Sequence, residues 1–198
     1  MEANVYAPPS AVVMDAPKAR ASEFYVVSKA KFFALFYATL GAYQLYWFYR
    51  HWSRYRAHHR EKLQPVWRAV FAIFFTHALG DRISQSLGHK GIRHRWSPGA
   101  LAAGYVLFQV IATVCDRLSA NNIGSPTTDV IGLLSLLPIG HFLWCMQDAA
   151  NLACHQPRGE SNRTFTWANW LWFVLGAFLW LMVLLGLAMT FGWVQLEG

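Results

Sequence analysis

An uncharged apolar stretch of twenty residues, Trp170 to Met189, constrains this chain more than any other feature of its sequence. As an α-helix, with a rise of about 1.5 Å per residue, this stretch is long enough to cross a hydrocarbon core of roughly 30 Å. A helix in the core of a water-soluble domain has no need of such an unbroken run. The stretch therefore predicts a transmembrane helix.

Three more segments have the apolar character of membrane spans, although each is close to the lower length limit: Phe32–Phe48, Ala100–Cys115 and Val130–Met146. The composition of the whole chain also indicates a membrane protein, because 55% of its 198 residues are hydrophobic and only 14% are charged. A fifth segment, Val66–Leu79, has fourteen residues and includes an arginine and a histidine. That length fits an interfacial or re-entrant helix better than a crossing.

These segments predict an all-α membrane bundle of four transmembrane helices plus one interfacial or re-entrant helix. Lys and Arg cluster in short cytoplasmic loops. In the four-span arrangement residues 50–99 and 148–166 are therefore inside and both termini outside. The alternative has five transmembrane helices, with Val66–Leu79 crossing and the N-terminus inside. Charge separates the two poorly, so the choice rests on segment length.

The domain organisation is predicted to be simple. Residues 1–23 are rich in Ala and Pro and lack the apolar core of a signal peptide, which indicates a mobile tail before one membrane domain at 24–198. Ala34, Ala38 and Ala42 recur every four residues. Such a stripe of small residues lets a second helix approach closely, within the bundle or in a homo-oligomer.

The formal charge of +7 is concentrated just after the first predicted span, which favours contact with anionic lipid over nucleic acid. The aromatic run "GAYQLYWFYRHW" at 41–52 is interpreted as the exit of that span, with its rings at headgroup depth. A protein partner is the other candidate for this basic surface. The predicted lipid-contact residues are Arg50, Arg54, Arg56, Arg60 and Lys62.

One constellation could bind a metal ion. His141, Cys145 and Asp148 are spaced so that they share one face of a helix, and their side chains suit zinc or copper. An ionisable group inside a span is costly and often functional. The alternative is structural, with a neutral His141, Cys145 as a small apolar side chain and Asp148 at the helix exit. Tight ligand pairs such as C-x-x-C, which are typical of metal sites, are absent, and this favours the structural alternative. No cofactor other than zinc or copper is expected.

The stretch "TLGAYQLYWFYRHW" (Thr39–Trp52) resembles the T-x-G-x-Y-x-x-Y-W-x-Y first-helix signature of a family of uncharacterised bacterial inner-membrane proteins. Further stretches are similar to landmarks of the same family: "FYVVSKAKF" (24–32), "PVWRAVFA" (65–72) and "NRTFTWANW" (162–170). The resemblance implies a multi-pass protein of the bacterial inner membrane. It transfers no catalytic residue.

The function expected from these observations is that of a non-catalytic structural or regulatory membrane component. No nucleophile triad, phosphate-binding loop or pair of catalytic carboxylates is evident, so an enzyme is the less favoured class. The alternative is a small transporter or channel subunit, with Gln44, Gln109, His141 and Asp148 as interior polar residues. A metal-dependent membrane enzyme that uses His141, Cys145 and Asp148 comes third.

Overall fold

The computed structural model describes residues 22–191, and all regular structure in that range is helical. The predicted all-α class is confirmed. A 3₁₀ turn at Glu160–Asn162 precedes the last helix. The helices in chain order are α1 (Lys29–Ala38), α2 (Tyr43–His59), α3 (Pro65–Val70), α4 (Ala72–His89), α5 (Pro98–Ser119), α6 (Thr127–Ala153) and α7 (Trp167–Thr190).

Three of these helices, α5, α6 and α7, are long and apolar enough to cross a membrane. They contain three of the four predicted spans, so the membrane prediction is confirmed to that extent. Local signals set where they begin. Pro98 occupies the first turn of α5, where a missing N–H costs nothing. Thr166 caps α7 in a reciprocal capping box with Asn169.

The first predicted span, Phe32–Phe48, is not one continuous helix. It is divided between α1 and α2, and Leu40 and Gly41 have φ angles of 50° and 83° in the turn between them. Thr39 stabilises this turn from both sides: its hydroxyl donates to Leu35 O at 2.8 Å and accepts from Tyr43 N at 3.0 Å. The left-handed conformation at Gly41 is costly for residues with a Cβ atom, which explains the glycine.

After this turn the chain folds back on itself. The Phe32 ring on α1 lies 6.2 Å from the Tyr43 and Trp47 rings on α2, measured between centroids. Further from the turn, the Phe24 ring lies 5.8 Å from that of Tyr55. Residues before α1 thus lie beside the C-terminal half of α2, and α1 and α2 form an antiparallel hairpin. The count of four crossings is not confirmed.

The short apolar segment Val66–Leu79 is also divided. Phe71, with φ −98° and ψ 39°, separates the six-residue α3 from α4. Helix α4 then continues ten residues beyond the predicted end, to His89. It packs against α5 and α6, and Gly80 allows close contact with Pro98, whose Cβ would lie 3.1 Å from a Cβ at this position. Among the described helices α3 and α4 are not candidate spans.

The aromatic run at 41–52 has a different role from the one expected. Tyr43, Trp47 and Trp52 are completely buried, and Phe48 packs against Tyr105 of α5. The interpretation of the run as rings at headgroup depth is therefore wrong for these residues. They form the aromatic core between the hairpin and helices α5 and α6.

Helix α7 contacts the rest of the protein through a narrow strip. Gly176 is its one buried residue among those described, and a Cβ built there would lie 2.1 Å from Ala38 O at the end of α1. Trp180 Nε1 donates to Tyr37 O at 3.1 Å beside this contact. Ala38 of the predicted small-residue stripe therefore serves packing within the chain. The remaining surface of α7 is largely exposed and apolar.

We predict that Gly176→Ala destabilises the protein by about 1–3 kcal/mol, because the added methyl group overlaps a backbone oxygen that cannot rotate away. The matched control is Gly186→Ala on the same helix, where no atom of residues 22–191 lies within 4 Å of the new Cβ. The measurement is thermal unfolding of both variants in one detergent. Equal melting temperatures would show that α7 does not dock on α1 at this point.

Candidate functional site

The segment 22–28, which we call the extended segment, lies before α1 and belongs to neither a helix nor a sheet. It bends at Glu23 and Phe24, and most of it is buried between the helices. Phe24 and Val27 are completely buried, and Glu23 is 6% exposed. Most of the predicted tail 1–23 lies outside the described residues, but the described end of it is part of the core. A buried strand without a partner strand needs side chains to satisfy its peptide groups.

Carboxamide side chains supply those hydrogen bonds. Asn151 of α6 faces Val27: its Nδ2 donates to Val27 O at 2.9 Å, and its Oδ1 accepts from Val27 N at 3.3 Å. Asn162 Nδ2 donates to Val26 O at 2.9 Å. An amide side chain carries the same donor and acceptor as a peptide group, so Asn151 pairs with the segment as a neighbouring strand would.

Gln147 connects this segment with α2. Its Oε1 accepts from Trp47 Nε1 at 2.5 Å and from His51 Nε2 at 3.1 Å. Its Nε2 donates to Tyr25 O at 2.9 Å and to Asn151 Oδ1 at 2.7 Å. All of these partners are buried. One side chain thus joins the hairpin, the extended segment and α6.

His51 is completely buried, and burial lowers its pKa to about 3, partly offset by the hydrogen bond to Gln147. Its ring is therefore neutral at physiological pH. Its Nδ1 has no hydrogen-bond partner among the described residues.

Glu23, the second residue of the segment, binds two helices. Its carboxylate accepts from Lys90 Nζ at 2.6 Å, Ser86 Oγ at 2.7 Å and His59 Nε2 at 2.8 Å. Burial raises the pKa of Glu23, but the hydrogen bonds from Lys90, Ser86 and His59 outweigh it and leave the pKa below its usual value. Both carboxylate oxygens are therefore committed to the folded structure.

Glu23 also belongs to a group of three residues, with His58 and His59, whose donor atoms lie within 4.8 Å of one another. Such spacing would suit a metal ion. However, the Lys90 ammonium group already binds the same carboxylate at 2.6 Å, and its positive charge opposes a second cation. The group is better explained as an ion-pair cluster.

A cavity of about 430 Å³ opens beside the extended segment, and we call it the basic cavity. Its charged lining residues are Lys31, Arg50 and Arg54, and its wall includes no Asp or Glu of the described chain. Asn162 and the start of α7 complete the wall. The sequence does not predict this cavity, since Lys31 lies nineteen residues before Arg50 and only the folded hairpin brings them together.

The predicted lipid-contact residues divide into two groups. Arg50 and Arg54 are half-buried and line the basic cavity. The Arg50 guanidinium lies over the Tyr25 and Tyr46 rings, 5.6 and 5.8 Å from their centroids. Arg56, Arg60 and Lys62 are exposed, as contact with a membrane surface requires.

The predicted metal-binding residues are only partly brought together. Cys145 Sγ lies 3.6 Å from His141 Nε2, so the expected i, i+4 contact is present. His141 is exposed, and no hydrogen bond joins Asp148 to either residue in the described structure. Cys145 and Asp148 instead line a shallow cavity with His94. Binding of zinc or copper by these three residues stays a prediction.

A cavity of about 380 Å³ lies at the opposite end of the bundle, and we call it the carboxylate cavity. Gln44 and Gln109, two of the predicted interior polar residues, line it together with Asp116 and Asp129. Asp129 accepts hydrogen bonds from Ser119 and Ser125, which fix the loop between α5 and α6. Asp116 is exposed, so this cavity is open rather than sealed.

No protein-family model, curated protein or solved structure matches this chain. The sites described above therefore stand on their geometry alone.

We predict that Gln147→Met destabilises the protein by at least about 2–4 kcal/mol, because it leaves several buried polar groups unpaired at about 1–3 kcal/mol each. Gln109→Met is the matched control: Gln109 Oε1 is buried with no hydrogen-bond partner in the described part of the chain, so its loss is expected to be neutral or stabilising. Chemical or thermal unfolding in detergent measures both. Equal effects would contradict the proposed role of Gln147.

Protonation of His51 is expected to make stability depend on pH. Its folded pKa, about 3, is below the usual 6.5, so between these values the unfolded chain binds a proton that the folded protein does not. Stability therefore falls as pH falls below 6.5, by about 1.4 kcal/mol per pH unit. Unfolding measured from pH 8 to pH 5 should show this slope in the wild type and in His89→Gln, an exposed control. A slope that survives in His51→Gln would rule out His51 as its source.

Proposed function

We propose that this chain is a non-catalytic, multi-pass component of the bacterial inner membrane whose basic end contacts anionic lipid at the cytoplasmic surface. The inner-membrane location follows from the family resemblance. The contact with lipid rests on the distribution of charge over the described fold. Structural and regulatory roles are both compatible with this arrangement.

The observation that carries the proposal is the separation of charge between the two ends of the bundle. Arg117 is the single Lys or Arg in residues 96–157, and α7 has none. The other described Lys and Arg residues all fall in 22–95 or 158–163, on either side of the spans. Since cytoplasmic loops are enriched in these residues, the end that holds the basic cavity is assigned to the cytoplasm.

The same charge distribution supports a particular topology. In it α5, α6 and α7 cross the membrane, and the hairpin of α1 and α2 enters from the cytoplasmic side and returns. Residue 22 and residues 56–62 then lie on one side, and Arg117 is the lone basic residue near the other. A single crossing at 32–48 would instead leave the basic residues before and after it on opposite sides.

Contact with lipid is assigned to two surfaces. The exposed apolar side chains of α7 face the acyl chains, and the exposed cations Arg56, Arg60 and Lys62 face the headgroups. Anionic headgroups attract basic residues at the membrane surface by about 1 kcal/mol each. A protein partner with an acidic surface is the alternative binding partner of these three cations.

A small transporter or channel subunit is the second candidate, and one observation favours it. Gln44 and Gln109, which are distant in sequence, line one cavity with two carboxylates. Polar groups that converge between membrane helices are often part of a substrate or ion pathway. The cavity lies at one end of the bundle, and the packed aromatic core at Trp47 and Phe48 lies beyond it.

The topology predicts which cysteine variants can be labelled from each side. In a cysteine-free background, Ser22→Cys, Arg56→Cys and Arg158→Cys should react with a membrane-impermeant maleimide only in inverted vesicles. Asn121→Cys should react only from the outside of intact cells. Labelling of Ser22→Cys from the outside would show that residues 32–48 cross the membrane, and would overturn this topology.

The lipid contact is tested with a triple variant, Arg56→Gln/Arg60→Gln/Lys62→Gln, in the full-length protein. Its enrichment of phosphatidylglycerol over phosphatidylcholine, measured as lipid retained after detergent purification, should fall several-fold relative to the wild type. Arg117→Gln at the opposite end serves as the control and should retain lipid normally. Unchanged retention in the triple variant would contradict the proposed function.

A further inference from the structure

The basic cavity carries more positive charge than its surroundings balance. Arg50 and Arg54 lie one helical turn apart on α2, and Lys31 of α1 reaches the same space. No described carboxylate pairs with any of the three. Two carboxylates adjoin the wall in sequence. Glu23 is committed to Lys90, Ser86 and His59, and Glu160 is exposed and forms no ion pair among the described residues.

Two of the three cations are held in place by the fold. Lys31 is 2% exposed, and its Nζ donates to Asn162 Oδ1 and Thr164 O, both at 2.7 Å. The Arg50 guanidinium packs against both the Tyr25 and the Tyr46 rings, and its Nε is buried without a hydrogen-bond partner among the described residues. A buried N–H group of a guanidinium without an acceptor costs free energy, and a bound oxyanion would remove that cost.

The remaining walls suit the same kind of ligand. Ala168 and Asn169 bring the first turn of α7 to the cavity, and a helix N-terminus attracts negative charge. Trp172 lies on the wall, and Trp167 and Trp170 are exposed nearby on the same helix. Tryptophans at this position are typical of the membrane interface, where lipid phosphates lie.

We propose that the basic cavity binds the phosphate group of a phosphate ester, with Arg50, Arg54 and Lys31 as its cationic ligands. Arginine presents paired N–H donors that match phosphate oxygens, and three cations suit a group that can carry two negative charges. The volume of about 430 Å³ exceeds that of a phosphate ion and leaves room for a glycerol-sized substituent.

Two sources can supply this phosphate: the headgroup of a lipid such as phosphatidic acid, or a water-soluble ester such as glycerol 3-phosphate. The lipid source rests on the proposed function, whereas the phosphate site itself does not. A cavity beside interfacial tryptophans is accessible to both. The choice between them is therefore made by experiment, with both compounds used as probes.

The test compares two double variants of the full-length protein with the same loss of charge, both in α2 or directly after its end. Arg50→Gln/Arg54→Gln removes cavity cations, and Arg56→Gln/Arg60→Gln removes exposed ones. Binding of short-chain phosphatidic acid and of glycerol 3-phosphate is followed in detergent by native mass spectrometry. Short-chain diacylglycerol is the probe without phosphate. We expect at least tenfold weaker binding of phosphatidic acid in the cavity variant and less than a twofold change in the exposed variant.

The outcomes separate the two proposals. Equal loss in both double variants, or no binding by the wild type, would overturn the phosphate site but leave surface contact with lipid to its own test. Binding of phosphatidic acid alone assigns the site to lipid, and comparable binding of glycerol 3-phosphate assigns it to a soluble ester. If loss of Arg50 prevents folding, Arg54→Glu replaces the double variant, because Arg54 forms no hydrogen bond, ion pair or ring contact among the described residues. Unchanged affinity in Arg54→Glu would also overturn the site.

Discussion

The fold depends on how an extended segment without a partner strand is accommodated inside a helical bundle. Residues 24–28 lie in the core, where an unpaired peptide group is costly. Asn151 and Asn162 bind the peptide groups of Val26 and Val27, and Gln147 binds that of Tyr25. Because Gln147 also binds Trp47 and His51, the segment and the hairpin are held by the same side chains. Removing one carboxamide therefore affects three parts of the structure together.

This dependence explains the position of the basic cavity. The carboxamide of Asn162 fixes the extended segment and also accepts from Lys31 at 2.7 Å, which draws α1 and the loop before α7 together. Arg50 of α2 is positioned by its contact with the Tyr25 ring. Tyr25 is in turn held by hydrogen bonds from Gln147 and Asn162. The cavity thus results from the way in which the peptide groups of the segment are hydrogen-bonded. Its cations are positioned by neutral groups, which leaves their charge uncompensated.

The sequence was sufficient for the apolar helices and insufficient for the segments between them. A stretch such as Trp170–Met189 can satisfy its backbone only as a helix when it crosses a membrane, so its length decides the matter. Phe32–Phe48 is apolar for another reason: its aromatic residues pack against the rest of the protein, and composition does not distinguish that burial from burial in lipid. Glu23, Gln147, Asn151 and Asn162 were not singled out, although a carboxamide at the apolar end of a predicted span was a signal that could have been used.

The two residues that divide the first apolar segment were also visible in the sequence. Thr39 and Gly41 lie just before and at the start of the aromatic run. Both contribute to the turn, in which the Thr39 hydroxyl binds the last turn of α1 and the first residue of α2. When the segment is taken as a hairpin, the basic residues at 29–31 and 50–62 fall at one end of the bundle. When the segment is taken as a crossing, these basic residues fall at opposite ends, and the charge distribution no longer favours one topology over the other. Under the proposed topology, the described basic residues other than Arg117 all lie at one end of the bundle, and the charge distribution then favours one orientation.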